Sequence, residues 1–308
     1  MIKRLRFLSR RRFWKLLLVT LFSTGVLYIA FIFFIFLYFH YEIKHDPISR
    51  IPKIVIYGDT RTYHDTHRKI VEMIRSESPS VVFHTGDLMT HGWGLPDWFA
   101  FHRIEKELIK ETDYYATLGN HEHNSLLYYL YFDFPGNEEY YSVDRYGIHF
   151  TVLNSTGDLS KDSEQYKWFV HDLRDHKDAA FKFVIFHHPL YSRMKVEDEM
   201  NIGESILPIM KKFKVHAVFN AHLHSYERSY VDGIHHIITA GGGAPLRGPR
   251  RENDYSKVYV RNYHYTKMYF EGDELVYKAI DIDGKEIDSL RFYPHKDPHY
   301  NLVKHKRD

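Results

Sequence analysis

The chain has 308 residues, 44% of them apolar and 17% aromatic, and it contains no cysteine. That is enough apolar material for one large core or two small ones, while the missing cysteines exclude a disulfide framework and thiolate metal sites. The net charge of +2 is a property of the first 45 residues, which hold eight Lys/Arg and one acid; the remainder holds 34 basic and 39 acidic groups, a net of −5, so no basic face for nucleic acid is expected.

The first predicted element is a membrane span over residues 16–39, where the only polar members are Thr20, Ser23, Thr24 and the tyrosines. As a helix rising about 1.5 Å per residue, such a run crosses a hydrocarbon core of about 30 Å. A cleavable signal peptide would have a shorter apolar region followed by small residues, whereas this run ends Phe36-Leu37-Tyr38-Phe39-His40-Tyr41, which predicts an uncleaved anchor. Seven basic residues precede it and only Lys44 follows closely, placing the N-terminus in the cytoplasm and the rest of the chain across the membrane. The predicted organisation is a basic cytoplasmic tail (1–15), an anchor (16–39), a linker (40–51), a folded domain (52–285) and a polar tail (286–308).

Within the domain, five apolar runs each finish on Asp, Asn or His. Ile54 to Tyr57 leads to Gly58-Asp59-Thr60-Arg61, and Val81 to His84 leads to Thr85-Gly86-Asp87. Tyr114 to Thr117 leads to Leu118-Gly119-Asn120-His121-Glu122-His123. Phe183 to Phe186 leads to His187-His188-Pro189, and Val215 to Asn220 leads to Ala221-His222-Leu223-His224. β-Branched and aromatic runs ending behind a Gly read as strands that deliver polar groups into a cleft.

Helical patterns over His67 to Ser76 and Asp97 to Lys110 separate the first three runs. The alternation predicts a largely parallel sheet with helices on its faces and its ligands beyond the carboxyl ends of the strands. Tyr140 to Val143 and Ile148 to Leu153 flank Asp144-Arg145-Tyr146-Gly147, a predicted hairpin. Ile234 to Thr239, Val258 to Phe270 and Leu275 to Ile282 are strand-like, so a second, mixed sheet is expected against the first.

The Asp, Asn and His groups offer oxygen and nitrogen donors with no thiolate, a set suited to Mn, Fe, Zn or Co. Two such ions about 3.5–4 Å apart clamp a phosphoryl group and activate a water for in-line displacement. Weighed against this, a lone His at a strand end more often packs than ligates, and it is the convergence of five tips that favours a metal centre.

At these residues the chain resembles the calcineurin-like metallophosphoesterase superfamily, and within it the purple-acid-phosphatase-like branch. The resemblance covers roughly residues 52–282. It rests on Gly58-Asp59, Gly86-Asp87, Gly119-Asn120-His121-Glu122, His187 ahead of Pro189-Leu190-Tyr191, and His222-Leu223-His224 before Ser225-Tyr226-Glu227-Arg228. It implies a four-layered α/β/β/α sandwich of two mixed sheets and two divalent or trivalent ions. By the same resemblance Asp87 bridges the ions, Asp59 and His224 hold the first, and Asn120, His187 and His222 hold the second. His121 then lies outside the metal shell, hydrogen-bonding the phosphate and protonating the leaving oxygen.

Two departures stand out. Most of the superfamily has a metal-binding His two residues after the first Asp, where this chain has Arg61; purple acid phosphatases have a Tyr three residues after the second Asp, where it has Thr90. Guanidinium cannot ligate, so Arg61 is expected either to clamp a phosphate oxygen or to pair with Asp65 or Asp59. His84 and His91 are substitutes for the missing ligand or, on the plainer reading, structural. Arg228 and Arg247 read as rim or packing residues.

The expected function is a membrane-anchored, metal-dependent phosphohydrolase in which a metal-bound hydroxide cleaves phosphomonoesters or phosphodiesters. The alternative is a non-catalytic metal- or phosphate-binding domain on the same fold. The expected partners are a phosphate ester and, through residues 16–39, the membrane; no protein partner is readable.

Overall fold

The computed structural model describes residues 24–39, 52–194 and 200–295, with the backbone alone at residues 200 and 201. The chain divides into two compact units, 1–44 and 45–308. In the first, helix α1 spans 24–39 and leaves ten large apolar side chains between Val26 and Tyr38 exposed. Among the described residues no helix is long and apolar enough to cross a membrane. The expected anchor begins at residue 16, and its residues 16–23, like the predicted tail 1–15 and linker 40–51, lie outside the described residues.

The second unit is built on two mixed sheets. The first has six strands, β1 (Lys53–Tyr57), β2 (Val81–His84), β3 (Asp113–Ala116), β11 (His264–Glu271), β12 (Glu274–Asp281) and β13 (Glu286–Phe292), in the order β13-β12-β11-β1-β2-β3. The second has seven, β4 (Tyr141–Arg145), β5 (Ile148–Val152), β6 (Phe181–Ile185), β7 (Ala217–Asn220), β8 (Tyr226–Val231), β9 (Ile234–Thr239) and β10 (Ser256–Val260), in the order β10-β8-β9-β7-β6-β5-β4. Aromatic side chains from facing strands close the space between the sheets. Phe83 of β2 meets Phe150 of β5 with ring centroids 4.6 Å apart, and Phe183 of β6 meets Phe292 of β13 at 5.1 Å.

Helices cover the outer faces. Apolar positions on α2 (His64–Ser76) and α3 (Leu95–Glu111) recur at helical spacing, burying Ile70 and Ile74 on one and Trp98, Phe101 and Leu108 on the other. These two helices pack together and against the first sheet. α5 (Glu164–Asp175), capped by the Ser163 hydroxyl accepting from the Tyr166 N–H at 3.1 Å, and α6 (Met200–Lys212) share an apolar cluster with the second sheet that includes Phe169, Ile206, Met210, Val184 and Val218. A short α4 (Leu126–Tyr131) lies between β3 and β4. The result is the α/β/β/α order that the family resemblance implies, built on the two mixed sheets.

The predicted hairpin forms as β4 and β5, turning on Tyr146 (φ 55°) and Gly147 (φ 77°), both in the left-handed region that a two-residue turn between twisted strands requires. The domain boundary at 285 needs correction, because Glu286–Phe292 is an edge strand rather than a polar tail. Its outward positions are polar, which hides it in the sequence, but Asp288 accepts from Arg228 Nε at 2.5 Å and Nη2 at 3.0 Å, and from the Tyr226 hydroxyl at 2.6 Å. Arg228 is therefore a packing residue that ties the two sheets together.

Register explains why the polar tips meet. β1, β2 and β3 run parallel with Tyr57, His84 and Ala116 aligned, so Asp59, Asp87 and Asn120 leave the sheet at one edge. β6 and β7 are parallel in the other sheet with Ile185 opposite Phe219, which brings His187 and the His222–His224 loop out together.

Candidate metal centre

Asp59, Asp87, His222 and His224 all adopt left-handed backbone conformations, with φ of 56°, 56°, 69° and 45°. Non-glycine residues in that region cost on the order of 1 kcal/mol or more and persist where the surroundings fix them. Here the surroundings are backbone bonds between the tips: Asp59 N–H to Gly86 O at 3.1 Å, Thr60 N–H to Asp87 O at 3.1 Å, Ala244 N–H to Asp59 O at 2.8 Å and Arg247 N–H to His224 O at 3.1 Å. Close approach makes Gly119 obligatory, since a Cβ there would stand 2.4 Å from Asp87 Oδ1.

Glu122, fully buried, organises the loops from below. Its carboxylate accepts from the N–H groups of Gly119 at 2.6 Å, Leu88 at 2.8 Å and Asp87 at 3.0 Å. Burial lifts this carboxyl to about 7, and the Asp87 charge adds to the rise against the pull of the N–H donors. The sequence pattern alone assigns Glu122 no role; its position three residues after Gly119 is the available signal.

The expected ligands fall into two groups. In one, Asn120 Oδ1 lies 3.2 Å from His187 Nε2 and 3.0 Å from His222 Nδ1, the two imidazole nitrogens being 3.3 Å apart. His187 donates from Nδ1 to Thr85 O at 2.9 Å, which leaves its Nε2 lone pair facing inward. Burial, reinforced by His187 and His188, brings His222 down to about 2, so it is a neutral imidazole. In the other group Asp59, Asp87 and His224, all buried, place donor atoms within 4.8 Å of one another. His224 donates from Nδ1 to Pro245 O at 2.8 Å, and its Nε2 stands 3.2 Å from Asp59 Oδ1, an oxygen without a hydrogen-bond partner among the described residues.

Asp87 lies between the groups. Its Oδ1 is 3.4 Å from His187 Nε2 and accepts the His121 N–H at 3.0 Å; its Oδ2 is 3.4 Å from Arg61 Nε. Burial works to raise its pKa, but His187, His121, the His121 N–H and Arg61 outweigh it and bring Asp87 down to about 2, leaving it ionised. Convergent nitrogen and oxygen donors, one orphaned buried carboxylate oxygen on Asp59 and a neutral imidazole at His222 fit a cation held by nitrogen and oxygen ligands.

His121 is placed differently. Its Nδ1 donates to Thr90 O at 2.7 Å, and its Nε2 is 3.8 Å from Asp87 Oδ2 on a side chain that is 24% exposed, at the rim of the donor set. Arg61, 13% exposed, directs Nε to Asp87 Oδ2 and Nη2 to His224 Nε2 at 3.1 Å. Among the described residues neither sequence-predicted partner of Arg61 takes it up: Asp65 pairs with Arg68 at 2.8 Å, and Asp59 Oδ2 accepts the His222 N–H at 2.7 Å.

His84 points away from the donors. Its Nε2 donates to Thr60 Oγ1 at 3.0 Å and its Nδ1 accepts from Gly86 N–H at 3.2 Å, so it supports the loops and replaces no ligand. His188 stands at a strand tip with no role readable from the sequence, and the fold sets its ring 4.6 Å from that of His222, with Nδ1 2.9 Å from Ser155 Oγ. The doubled His187-His188 is its only signal.

Comparison with known proteins agrees with this geometry. The family model described as calcineurin-like phosphoesterase matches residues 52–226, more than half of the chain. A probable purple acid phosphatase 20 of Arabidopsis thaliana is 28% identical over 204 residues, covering 59% of this chain and 48% of that protein. Purple acid phosphatase 22 of the same plant is 30% identical over 176 residues, covering 50% and 40%. The chain thus spans about half the length of these curated relatives or less. Among solved structures, the purple acid phosphatase PPD1 from yellow lupin (Lupinus luteus) seeds superposes with a TM-score of 0.68 at 22% identity, covering 79% of this chain and 54% of that one. GAP50, the anchor in the inner membrane complex of Plasmodium, gives 0.69 at 15% identity, covering 83% and 93%. Both share the fold. With the motifs, the sheet order and the convergent donor set in agreement, this chain belongs to the calcineurin-like phosphoesterase family, in its purple-acid-phosphatase-like branch.

Proposed function

We propose that the protein is a membrane-anchored phosphohydrolase of phosphomonoesters or phosphodiesters. The observation that carries the reading is the meeting of Asn120 Oδ1, His187 Nε2 and His222 Nδ1 within 3.0–3.3 Å beside Asp87, with His121 at the rim. Centres of this family are dinuclear; the corresponding donor groups here are Asp59, Asp87 and His224 on one side and Asn120, His187, His222 and Asp87 on the other, and the second group would hold metal. A bound ion supplies Lewis acidity that polarises the phosphoryl group and acidifies a water.

The chain's own groups do the rest. Thr90 O fixes the His121 tautomer with the proton on Nδ1 when the ring is neutral, so Nε2 is the atom that carries a proton to the leaving oxygen when the ring is charged. Asp87, ionised and buried, orients His121 through its N–H. Glu122 fixes the Asp87 and Gly119 backbones so that the donor set is rigid before substrate arrives.

Anchoring is supported by the apolar run 16–39, the basic residues before it and the ten exposed large apolar side chains of α1. The hydrolase reading is tested by turnover of p-nitrophenyl phosphate and its bis ester by the full chain in detergent with added Mn. Turnover that a chelator abolishes and Mn restores supports it; metal binding without turnover of either ester favours the binding domain instead.

A further inference from the structure

We propose that the Arg61 guanidinium is itself the cation of the first metal position, so that the centre takes one metal ion per chain, on the Asn120–His187–His222 side, rather than two. The inference rests on the metallophosphoesterase reading and changes its stoichiometry.

Lone pairs decide what the first position can hold. His224 commits its only neutral-state proton, on Nδ1, to Pro245 O at 2.8 Å, so its Nε2 presents a single lone pair to the site. That lone pair already accepts from Arg61 Nη2 at 3.1 Å. It can accept an N–H or coordinate a metal, not both. The same guanidinium edge places Nε 3.4 Å from Asp87 Oδ2, the oxygen on the first-site side of the carboxylate, whose Oδ1 faces His187. One planar group thereby covers two of the three donors of the first position, and Asp59, the third, is left to balance its charge.

Arg61 is held for this role. The Asp59–Thr60 backbone is bonded to Gly86 O, Asp87 O and Ala244 N–H, and Tyr63 N–H bonds both Arg61 O at 3.1 Å and Gly243 O at 3.2 Å. The Arg61 Cα therefore sits on a fixed loop two residues from Asp59, and the remaining arm, Nη1, rests 3.4 Å from Thr62 Oγ1. Guanidinium stays charged at any working pH. A metal ion entering beside it meets a fixed positive charge as well as an occupied His224. The second position is made of Asn120 Oδ1, His187 Nε2 and His222 Nδ1, which face one another at 3.0–3.3 Å, and it remains a metal site.

The test is metal stoichiometry on the full chain in detergent, read by elemental analysis after equilibrium dialysis against Mn and, independently, by electron paramagnetic resonance of the Mn-loaded protein. The wild type should retain one equivalent and show an isolated-ion spectrum. Arg61→His should retain two and show an exchange-coupled pair. Arg61→Ala, which removes the cation without adding a ligand, should admit a second equivalent at higher Mn concentration. His222→Ala should lose the wild-type ion, whereas His224→Ala should keep it. Two equivalents with a coupled spectrum in the wild type would overturn the proposal while leaving the hydrolase reading intact, and so would loss of the ion in His224→Ala alone. No bound metal in any variant would overturn both.

Discussion

At the scale of single residues, the site separates groups that would hold metal from one that would move a proton. His121 reaches the donors only through its backbone N–H and a 3.8 Å approach of Nε2 to Asp87. Replacing it with Ala should lower kcat by about 10²–10⁴-fold with metal content unchanged. Metal loss equal to that of Asp87→Asn would show that His121 is a ligand. Thr90, standing where the purple enzymes carry a tyrosine, contributes its carbonyl to the same histidine. The donor types are legible in the sequence because each follows an apolar run and a turn. Arg61 stays open there between a phosphate clamp and an ion pair, since its partners, Asp87 and His224, lie 26 and 163 residues away. Glu122 and His188 are hidden for a related reason: their roles are contacts with other loops, which spacing does not encode.

At the scale of elements, the sheets bring the tips together and the aromatic layer between them holds the sheets in place. Phe83 is buried against Phe150 and Tyr115, so Phe83→Ala should cost about 3–5 kcal/mol, read by urea denaturation, and should weaken metal retention as well because Asp87 lies on the loop that leaves this strand. A loss below about 1 kcal/mol would mean that the inter-sheet layer does not set the domain's stability.

A second element-scale test concerns His149 on β5, whose Nδ1 lies 2.9 Å from Asp144 Oδ1 and whose Nε2 lies 3.1 Å from Asp172 Oδ2, with the ring of His176 stacked at 3.8 Å. Burial disfavours the imidazolium, but the two carboxylates outweigh it and raise the His149 pKa; both carboxyls are in turn held below their usual range, Asp144 chiefly by its bond to His149 and Asp172 by the same histidine against burial. A raised histidine stabilises the fold fully below its unfolded value of about 6.5 and loses that contribution as pH rises through the folded value. Each tenfold difference in proton affinity between the folded and unfolded chain is worth about 1.4 kcal/mol. The carboxylates contribute above their unfolded values, so the cluster is complete only in mildly acidic solution. Wild-type stability relative to His149→Gln should therefore fall as the pH rises above about 6.5; a difference independent of pH would show that His149 is neutral throughout.

Strands β1, β2, β3, β6, β7, β9 and β12 are readable from their apolar runs, as is the β4–β5 hairpin from its turn. β13 and β8 are not, because an edge strand such as Glu286–Phe292 shows a polar outward face, and Tyr226–Val231 carries Glu227 and Arg228 inside a strand. Their partners are distant in sequence: Glu227 accepts from the Ser192 hydroxyl at 2.7 Å and the Arg193 N–H at 3.0 Å, and Arg228 pairs with Asp288. α5 and α6 likewise are not among the predicted elements.

At the scale of the whole molecule, the folded domain and the apolar N-terminal run make different demands on their surroundings, and the charge asymmetry predicts which side each occupies. A reporter active only outside the cytoplasm, fused after Asp308, should be active, and a cytoplasm-only reporter silent; the reverse pattern would place the domain inside. The central claim is that the five strand tips form a metal-dependent phosphohydrolase, and the most direct measurement compares metal content and ester turnover of the wild type and Asp87→Asn, each purified as the full chain and supplied with Mn. The wild type should bind metal and hydrolyse p-nitrophenyl phosphate or its bis ester, and Asp87→Asn, deprived of the carboxylate shared by both donor groups, should lose metal and turnover together. Turnover by Asp87→Asn at the wild-type rate would contradict the claim.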